Sequence, residues 1–375
     1  MRPVQLDVEA TDGLARTGRM HLPPRLGGGH GEVSGLVETP TFMPVGTRAA
    51  VKHLTSADLD ELGAEIVLGN TYHLMLRPGV DVVEKMGGLG TFQSWPRHTL
   101  TDSGGYQILS LEPKITEEGA TFFSTYDGDK VFLSPEKAVE VQQAIGADIQ
   151  MVLDICSPLP SSEPVIRDAM EQTLRWAERA RAVHTCPDQA LFGIVQGGVD
   201  LPMRVESAQR TVEIGFDGYG IGGLSVGEER DQMLPAIAAA TEHLPADRPR
   251  YVMGLGDPAG LLGAVANGAD IFDCVLPTRL ARHGTALTSE GRLNLKNARF
   301  ATADEPLDAS CPHPASQRWS RAYVRHLLVT KEPTAARILT LHNLAWLFHL
   351  VSRMRDAIRA GTFDALRREV LDVWG

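Results

Sequence analysis

The chain has 375 residues, 43% of them hydrophobic, and a net charge of −11. No run of about 18 apolar residues occurs, and the start of the sequence lacks the apolar region of a signal peptide, so we expect a cytoplasmic protein with no membrane partner. The four cysteines are widely separated, which argues against a disulfide framework and for a reducing compartment.

The acidic balance argues against a nucleic-acid partner, because phosphate contacts need Lys and Arg. The charge is unevenly distributed, however, since the segment from Arg279 to the C-terminus carries 15 Lys and Arg against nine Asp and Glu. Charge alone does not separate a solvated helical surface from a phosphate-binding one.

The predicted elements begin with a strand pair around Thr11–Gly13 and a flexible glycine-rich loop at Gly27–Gly31, whose function the sequence does not indicate. Short apolar runs then alternate with helix-like stretches. The predicted strands are Thr41–Val45, Glu65–Leu68, Asp148–Leu153, Leu191–Val195, Tyr219–Ile221, Tyr251–Met253 and Ile271–Val275. The predicted helices between them are Thr55–Leu62, Pro135–Ala144, Pro164–His184, Leu201–Ile214 and Gln232–His243.

This alternation is typical of a parallel sheet in an α/β protein, and the length suits a TIM (β/α)8 barrel, which needs about 250 residues and tolerates insertions. An open doubly wound sheet would show the same periodicity and stands as the alternative. Its support is Gly218–Gly223, which matches the dinucleotide fingerprint. That motif does not open a first strand-to-helix turn, and the next strand ends at Gly254 without an acid. We therefore expect a barrel and no nucleotide cofactor.

Acidic residues stand at the ends of three predicted segments. Asp273 ends a strand-like run shortly before the cationic loop at Arg279, Asp102 lies in a turn, and Asp154 follows another strand. In a closed barrel such ends converge on one mouth. We expect one pocket in which a carboxylate nucleophile lies beside a phosphate-binding loop.

Five motifs resemble those of bacterial tRNA-guanine transglycosylases, and they occur in the same order. They are Gly69–Leu74, Asp102–Gln107, Gly193–Gly198, Gly222–Glu228 and Phe272–Arg279. The resemblance implies a TIM barrel with a zinc-bearing insertion, in an enzyme that exchanges the wobble guanine of certain tRNAs for a 7-deazaguanine base. The predicted division is a barrel core with the strand pair at residues 1–300, an insertion lobe at 301–350 and a C-terminal helical segment at 351–375.

Base exchange on an intact strand calls for a double displacement, as in a retaining glycosidase. By resemblance Asp273 is the nucleophile, which attacks ribose C1′ and forms a covalent tRNA intermediate. Asp102 matches the general acid/base that protonates the departing guanine and deprotonates the incoming base. Without the resemblance, Asp102 would be interpreted as a turn or capping aspartate.

The resemblance also assigns the guanine pocket. An ionised carboxylate accepts the N1–H and the exocyclic amine of a purine, and Asp154 fits that role, while Gln196 and the backbone N–H of Gly223 match donors to the purine carbonyl. Tyr106 and Met253 resemble the residues on the two faces of the ring. The other predicted contacts are Ser103, Cys156, Leu224, Val226 and Glu228. By the same resemblance the pocket is sized for 7-aminomethyl-7-deazaguanine.

The tRNA must present extruded bases, because a stacked base cannot bring its C1′ to a buried acid. Arg279 and Arg282 match the family's contacts to the uridines that flank the target guanine in a U-G-U anticodon loop. Leu280 and His283 depart from the small polar residues usual in that loop. A homodimer is expected by resemblance only.

The metal motif departs from the family pattern of Cys-x-Cys-x-x-Cys with a distant His, which is a tetrahedral zinc set. The corresponding residues are Cys311, His313, Ser316 and His342, so one thiolate is replaced by another good ligand and one by a hydroxyl that seldom binds zinc. Two alternatives stay open. Either Cys311, His313 and His342 hold zinc with a water or a nearby donor, or the lobe is held without zinc by packing around Trp319, Tyr323, Leu344 and Trp346.

The sequence is compatible with more than one function. An active transglycosylase is supported by Asp102, Asp154 and Asp273, whereas a non-catalytic tRNA-binding subunit has no chemical need for both a nucleophile and a general acid. That second class stands as the alternative because the family includes such members and the metal motif is altered. A third interpretation is an enzyme that inserts another deazapurine or acts on another nucleic acid.

Overall fold

The computed structural model describes residues 3–23, 25–27, 31–33 and 35–375. Among the residues that the structure describes, five strands precede the barrel: β1 (Gln5–Asp12), β2 (Ala15–His21), β3 (Arg25–Gly27), β4 (Gly31–Val33) and β5 (Leu36–Thr39). Strands β1 and β2 form an antiparallel hairpin with its turn at Gly13, where a φ of 63° suits glycine, and β5 pairs with β2. Strands β3 and β4 pair with each other, and residues 28–30 of the predicted glycine-rich loop lie outside the described residues.

The remaining strands include the eight that form the barrel. In chain order they are β6 (Thr41–Gly46), β7 (Ile66–Gly69), β8 (His98–Thr101), β9 (Lys114–Thr116), β10 (Gly119–Phe123), β11 (Lys130–Leu133), β12 (Ile149–Met151), β13 (Ala190–Val195), β14 (Gly218–Ile221), β15 (Arg250–Val252), β16 (Ile271–Cys274), β17 (Thr285–Thr288) and β18 (Gly291–Asn294). The closed order is β12-β13-β14-β15-β16-β6-β7-β8, with parallel neighbours throughout. This order confirms the predicted TIM barrel and rules out the open doubly wound sheet.

Helices cover the outside of the barrel and continue to the C-terminus. They are α1 (Ser56–Glu61), α2 (Thr71–Leu74), α3 (Val80–Lys85), α4 (Gly88–Phe92), α5 (Gly105–Leu109), α6 (Pro135–Ile145), α7 (Glu163–Val183), α8 (Leu201–Ile214), α9 (Arg230–Thr241), α10 (Pro258–Ala266), α11 (Leu276–Arg282), α12 (Pro314–Gln317), α13 (Arg321–Val329), α14 (Thr334–Arg359) and α15 (Phe363–Trp374). Several start where the sequence provides a capping side chain with a proline one or two residues later, as at Ser134, Asp200 and Asp257. Each of these side chains accepts a hydrogen bond from a free backbone N–H of the first turn.

One barrel strand, β8, lies outside the predicted set. Its sequence, His-Thr-Leu-Thr, lacks the apolar character of the other strands, yet all four residues are buried. The Thr99 hydroxyl donates to Asp148 at 3.1 Å and the Thr101 hydroxyl to Gln142 at 3.0 Å. A hydroxyl with a buried acceptor can occupy a core, so polar threonines here serve as interior residues.

Two additions extend the barrel. Strands β9, β10 and β11 form an antiparallel sheet between α5 and α6, and the β17–β18 hairpin follows α11. That hairpin, α13 and the start of α14 share a second apolar cluster, which includes Ala286, Leu293, Phe300, Leu307, Val324 and Leu339. Helix α14 then packs on β1, β2 and β6. The predicted boundaries at residues 300 and 350 stay a prediction. Among the described residues, no helix has both the length and the apolar character needed to cross a membrane.

A buried ion pair joins the N-terminal hairpin to the barrel. Arg16, in β2, donates from Nε and Nη2 to the two Asp270 carboxylate oxygens at 2.8 and 2.6 Å, and the backbone N–H of Arg250 donates to the same carboxylate at 2.7 Å. Arg16 also donates to the carbonyls of Ala246 and Arg248. Asp270 immediately precedes β16, so this pair fixes the start of the strand that carries Asp273.

Asp270→Ala is expected to lower the free energy of unfolding by roughly 3–5 kcal/mol, because it leaves the Arg16 guanidinium buried without its counter-ion. Chemical denaturation followed by circular dichroism measures the change. Glu117→Ala is the control, since it removes a half-exposed pair with Arg175 and should cost about 1 kcal/mol or less. Equal losses in the free energy of unfolding would show that the buried pair contributes no more to stability than the exposed pair.

Candidate active site

The three acids singled out in the sequence stand at the carboxyl ends of barrel strands. Asp102 follows β8 directly, Asp154 lies three residues after β12, and Asp273 is within β16. The charge of Asp273 is close enough to raise the pKa of Asp102. Because the carboxyl ends of the strands surround a single mouth, the three side chains belong to one region of the barrel.

Asp102 is held by three donors from neighbouring loops. The backbone N–H groups of Thr71 and Gly104 donate to Oδ1 at 2.8 and 3.1 Å, and Asn70 Nδ2 donates to Oδ2 at 2.6 Å. Burial and, to a smaller extent, the charge of Asp273 raise the pKa of Asp102 to about 7, against the opposing effect of these hydrogen bonds. A carboxyl group that titrates near neutral pH is suited to both donating and accepting a proton.

Asp273 is oriented through one of its two oxygens. The Tyr251 hydroxyl and the Gly254 backbone N–H both donate to Oδ1, at 2.6 and 2.8 Å. In the part of the chain that the structure describes, no hydrogen bond falls on Oδ2, which leaves that oxygen for an incoming group. Burial raises the pKa of Asp273, and the two donors counteract the rise by stabilising the ionised form. Burial also raises the pKa of Tyr251, so its hydroxyl stays a donor.

Asp154 lies within a buried polar group. Gln196 Nε2 donates to Asp154 Oδ2 at 2.7 Å, and Ser103 Oγ donates to Oδ1 at 3.4 Å. Burial raises the pKa of Asp154 to about 6, and the bonds from Gln196 and Ser103 hold it below the value that burial alone would give. Gly223 has a φ of 64°, and a Cβ there would meet the Gln196 carbonyl oxygen, so only glycine fits beside this amide.

The loop after β14 brings together most of the other predicted pocket residues. The backbone N–H of Gly223 faces the Cys156 thiol, and Leu224 is buried next to it along the chain. The backbone N–H groups of Ser225 and Val226 both donate to the Glu228 carboxylate. Glu228 therefore closes the loop on itself.

The two cysteines near the acids are poorly suited to act as nucleophiles. Burial, reinforced by the charge of Asp154, raises the pKa of Cys156 to about 12. Burial and the charge of Asp273 likewise raise the pKa of Cys274 to about 11. Since the thiolate is the reactive form, both side chains stay unreactive at neutral pH and the carboxylates are left as the nucleophilic candidates.

The two residues predicted to cover the faces of a ring differ in exposure. Tyr106 is in the first turn of α5, and 67% of its surface is exposed. Met253 is half-buried and follows β15. An exposed aromatic ring can stack on a flat ligand without first being freed from the core.

Arg204 is fully buried, and the sequence did not predict a role for it. It donates from Nε to the carbonyl of Gly198 at 2.7 Å, from Nη1 to Val195 at 3.0 Å and from Nη2 to Gly223 at 3.2 Å. Burial lowers the pKa of Arg204 to about 10, so it remains charged at neutral pH. Arg204 thereby ties the loop after β13 to the loop after β14. It was missed because a charged residue in an amphipathic helix normally faces solvent.

Cationic side chains surround the mouth. Arg279 and Arg282 are exposed on α11, immediately after the strand that carries Asp273. Burial and the charges of Arg282 and Lys52 lower the pKa of His53, which places the loop after β6 beside α11. The guanidinium of Arg48, in that same loop, lies 5.2 Å from the centre of the Tyr126 ring. Arg48 and Lys52 were not predicted, because isolated surface cations carry no signal in one sequence.

The four residues of the metal motif are not arranged as a tetrahedral set. His342 Nδ1 lies 3.0 Å from Ser316 Oγ, and His342 Nε2 lies 2.8 Å from the carbonyl oxygen of Leu287. His313 Nδ1 instead accepts the backbone N–H of Ala315 at 3.1 Å, at the start of α12. Within the described ranges, no group of three or more His, Cys, Asp and Glu side chains is placed to hold a metal ion. The residues present do not fit a zinc site.

Comparisons with known proteins cover almost the whole chain. Residues 11–375 match the family model described as Queuine tRNA-ribosyltransferase. The chain is 50% identical over 363 residues to the Queuine tRNA-ribosyltransferase of Solidesulfovibrio magneticus, which covers 96% of this chain and 95% of that protein. It is 48% identical over 364 residues to the protein of that name from Bacillus licheniformis, covering 96% and 93%. The one from Desulforamulus reducens is 46% identical over 376 residues, covering 99% of both.

Proposed function

The chain belongs to the queuine tRNA-ribosyltransferase family and is a tRNA-guanine transglycosylase of queuosine biosynthesis, and we propose that it replaces the wobble guanine of U-G-U anticodons with 7-aminomethyl-7-deazaguanine by double displacement. The observation that supports this mechanism is the pair of desolvated carboxylates, Asp102 and Asp273, at one mouth of the barrel. Asp273 is held in place for attack, and Asp102 titrates near neutral pH.

In the first displacement, Oδ2 of Asp273 attacks ribose C1′ of the target nucleotide. The bond from C1′ to the guanine breaks as the bond to Asp273 forms, and the protonated Asp102 delivers its proton to the leaving base. Tyr251 and Gly254 are positioning groups, because their bonds to Oδ1 fix the carboxylate and stabilise its ionised form. The product is a covalent ester between Asp273 and the tRNA.

In the second displacement, the incoming base loses its ring N–H proton to the ionised Asp102 and attacks C1′. The ester bond breaks, Asp273 is released as a carboxylate, and Asp102 is again protonated. Both steps invert C1′, so the configuration of the nucleoside is retained. Asn70, Thr71 and Gly104 serve this cycle by keeping the ionised form of Asp102 accessible.

We assign base recognition to the polar group around Asp154. Its carboxylate is suited to accept the N1–H and exocyclic amine of guanine, and Gln196 and the Gly223 N–H are suited to donate to the carbonyl. Without a base, Gln196 donates to Asp154, which keeps both buried groups paired. Ser103, Cys156, Leu224 and Val226 complete the pocket wall. Glu228 is the group that would accept the aminomethyl ammonium.

The cationic rim supports docking of an anticodon loop. Arg279 and Arg282 follow the nucleophile along α11, and the loop after β6, which carries Lys52, lies beside Arg282. Phosphates flanking an extruded guanine would meet these charges, and the exposed Tyr106 ring offers a stacking surface for the base. The homodimer and the cytoplasmic location remain predictions from the resemblance and the sequence.

Asp273→Asn is expected to abolish exchange, because an amide keeps the shape of the side chain and loses its nucleophilicity. Incubation with a tRNA carrying a U-G-U anticodon and radiolabelled guanine should show a loss of incorporation of roughly a thousandfold or more. The wild type should form a tRNA adduct that survives denaturing electrophoresis, and the variant should form none while still binding tRNA.

Asp200→Asn is the matched control for that experiment. It makes the same substitution on the same side of the barrel, and asparagine caps α8 as well as aspartate does. Exchange should be unchanged. Substantial exchange or adduct formation by Asp273→Asn would assign the nucleophile to another residue.

The formation of the tRNA adduct should depend on the protonation of Asp102. Since its pKa is about 7, the protonated acid is present below that pH, and the single-turnover rate of adduct formation should fall as pH rises through about 7. Asn70→Ser removes the amide donor to ionised Asp102 and retains a capping oxygen for α2. Losing a hydrogen bond that favours the ionised form raises the pKa of Asp102. The alkaline limb of the pH–rate profile for adduct formation should therefore move up by roughly one pH unit.

The pH profile distinguishes this assignment from a general loss of activity. A variant that lowered the rate equally at every pH would contradict the proposed contact between Asn70 and the catalytic acid. Incorporation of labelled guanine is less informative here, since it uses Asp102 once as an acid and once as a base.

A further inference from the structure

We propose that the lobe formed by the β17–β18 hairpin, α12, α13 and the start of α14 is held together by a chain of hydrogen bonds through Ser316 and folds without zinc. The chain, called the Ser316 chain below, consists of the Ser316 hydroxyl, the His342 imidazole and the Leu287 carbonyl, and the Cys311 thiol lies beside Ser316. All four residues are fully buried. The inference concerns how the lobe is built and goes beyond the exchange reaction.

The direction of each bond in the Ser316 chain follows from hydrogen-bond chemistry. A backbone carbonyl only accepts, so His342 Nε2, at 2.8 Å from the Leu287 oxygen, must carry the ring proton. His342 Nδ1 is then an acceptor, and the Ser316 hydroxyl at 3.0 Å donates to it. The Cys311 thiol is a neighbour of the Ser316 hydroxyl and of the backbone N–H of His313. Each polar group is matched by neutral partners.

The Ser316 chain links separate elements of the lobe. Leu287 is in β17, Ser316 is in α12 and His342 is in α14, while Cys311 precedes α12. A structural metal ion would serve the same purpose by joining these segments at one point. Here the lone pair of His342 that faces the centre of the motif is already occupied by a hydroxyl proton.

The Asp308 carboxylate makes a second set of links between the same elements. It accepts the backbone N–H of Ser289, after β17, at 2.6 Å, and the indole N–H of Trp346, in α14, at 3.0 Å. It also accepts from the backbone N–H and hydroxyl of Ser310 at 2.8 and 2.7 Å. The lobe therefore has a buried anion with a full set of donors, and no cation is needed to balance it beyond these N–H and O–H groups.

The donor chemistry also disfavours an ion. Of the four motif residues only Cys311 offers a thiolate, and a serine hydroxyl is a poor zinc ligand. The remaining imidazole, His313, uses Nδ1 to cap α12. Binding zinc would require deprotonating Cys311, breaking the Ser316–His342 bond and uncapping α12, in exchange for three donors and a water.

The first test measures zinc and stability in the purified full-length protein. Inductively coupled plasma mass spectrometry should find far less than one zinc per chain, and the unfolding midpoint should be the same with and without EDTA. One zinc per chain, with a midpoint that falls on chelation, would overturn the proposal. Both readouts are independent of the exchange reaction, so failure of the proposed function would not affect them.

The second test asks whether Cys311 is a metal ligand. Serine keeps a small polar side chain beside Ser316 but cannot replace a zinc thiolate, so Cys311→Ser should shift the midpoint little, as should Cys186→Ser, the control outside the lobe. Ser316→Ala breaks the chain and leaves His342 Nδ1 without its donor, so its midpoint should fall by a few degrees, equally with and without EDTA. An unchanged midpoint in Ser316→Ala, or a large fall in Cys311→Ser, would contradict the Ser316 chain.

The third test asks whether the side chains, and not the backbone, exclude the ion. The double variant His313→Cys and Ser316→Cys presents three thiols and His342, which is a set that suits tetrahedral zinc. It should bind one zinc per chain when purified with zinc chloride, and its midpoint should become sensitive to EDTA. If it takes up no zinc, the backbone rather than Ser316 and His313 excludes the metal, and the assignment to these side chains is wrong.

Discussion

The removal of three carboxyl groups from water at the barrel mouth is the constraint on which the site depends. Burial raises the pKa of Asp102, Asp154 and Asp273, and in each case hydrogen-bond donors oppose the rise by stabilising the ionised form. The balance leaves the pKa of Asp102 near 7 and that of Asp154 near 6. More donors would keep Asp102 permanently ionised, and deeper burial without donors would keep it permanently protonated. Either change would remove its ability to cycle between acid and base.

The hydrogen-bond donors to the acids set these pKa values only if their positions are fixed, and the barrel fixes them. Backbone N–H groups of Thr71, Gly104 and Gly254 follow directly from the ends of strands or begin short helices, so they have little freedom to drift. Arg204 fixes the two loops that form the base pocket by binding their carbonyls. At the other end of β16, Asp270 is held by Arg16. Because residues are held rigidly at both ends of the barrel strands, the distances between the acids and their donors stay constant.

The lobe shows how a fold can keep its arrangement while its stabilising chemistry changes. A metal ion and a hydrogen-bonded chain satisfy the same requirement, which is that buried polar groups at a junction of several elements must be paired. The Ser316 chain and the Asp308 carboxylate do so with local donors and acceptors. Neither set of bonds touches the acids at the barrel mouth, so this part of the molecule is free to vary without altering the chemistry there.

By itself the sequence determined most of the barrel strands and the identities of the acids, because alternating apolar runs and polar strand ends are local patterns. The same alternation fits an open doubly wound sheet, and the pairing of β8 with β12, which closes the barrel, was decided by the tertiary structure. The sequence did not identify β8, Arg204 or the role of Tyr251. Threonines and arginines become interior residues only when partners distant in the chain reach them, as Asp148 reaches Thr99. The pKa of Asp102 and the partners of His342 were likewise decided by the tertiary structure, since burial and proton direction depend on groups that only folding brings together.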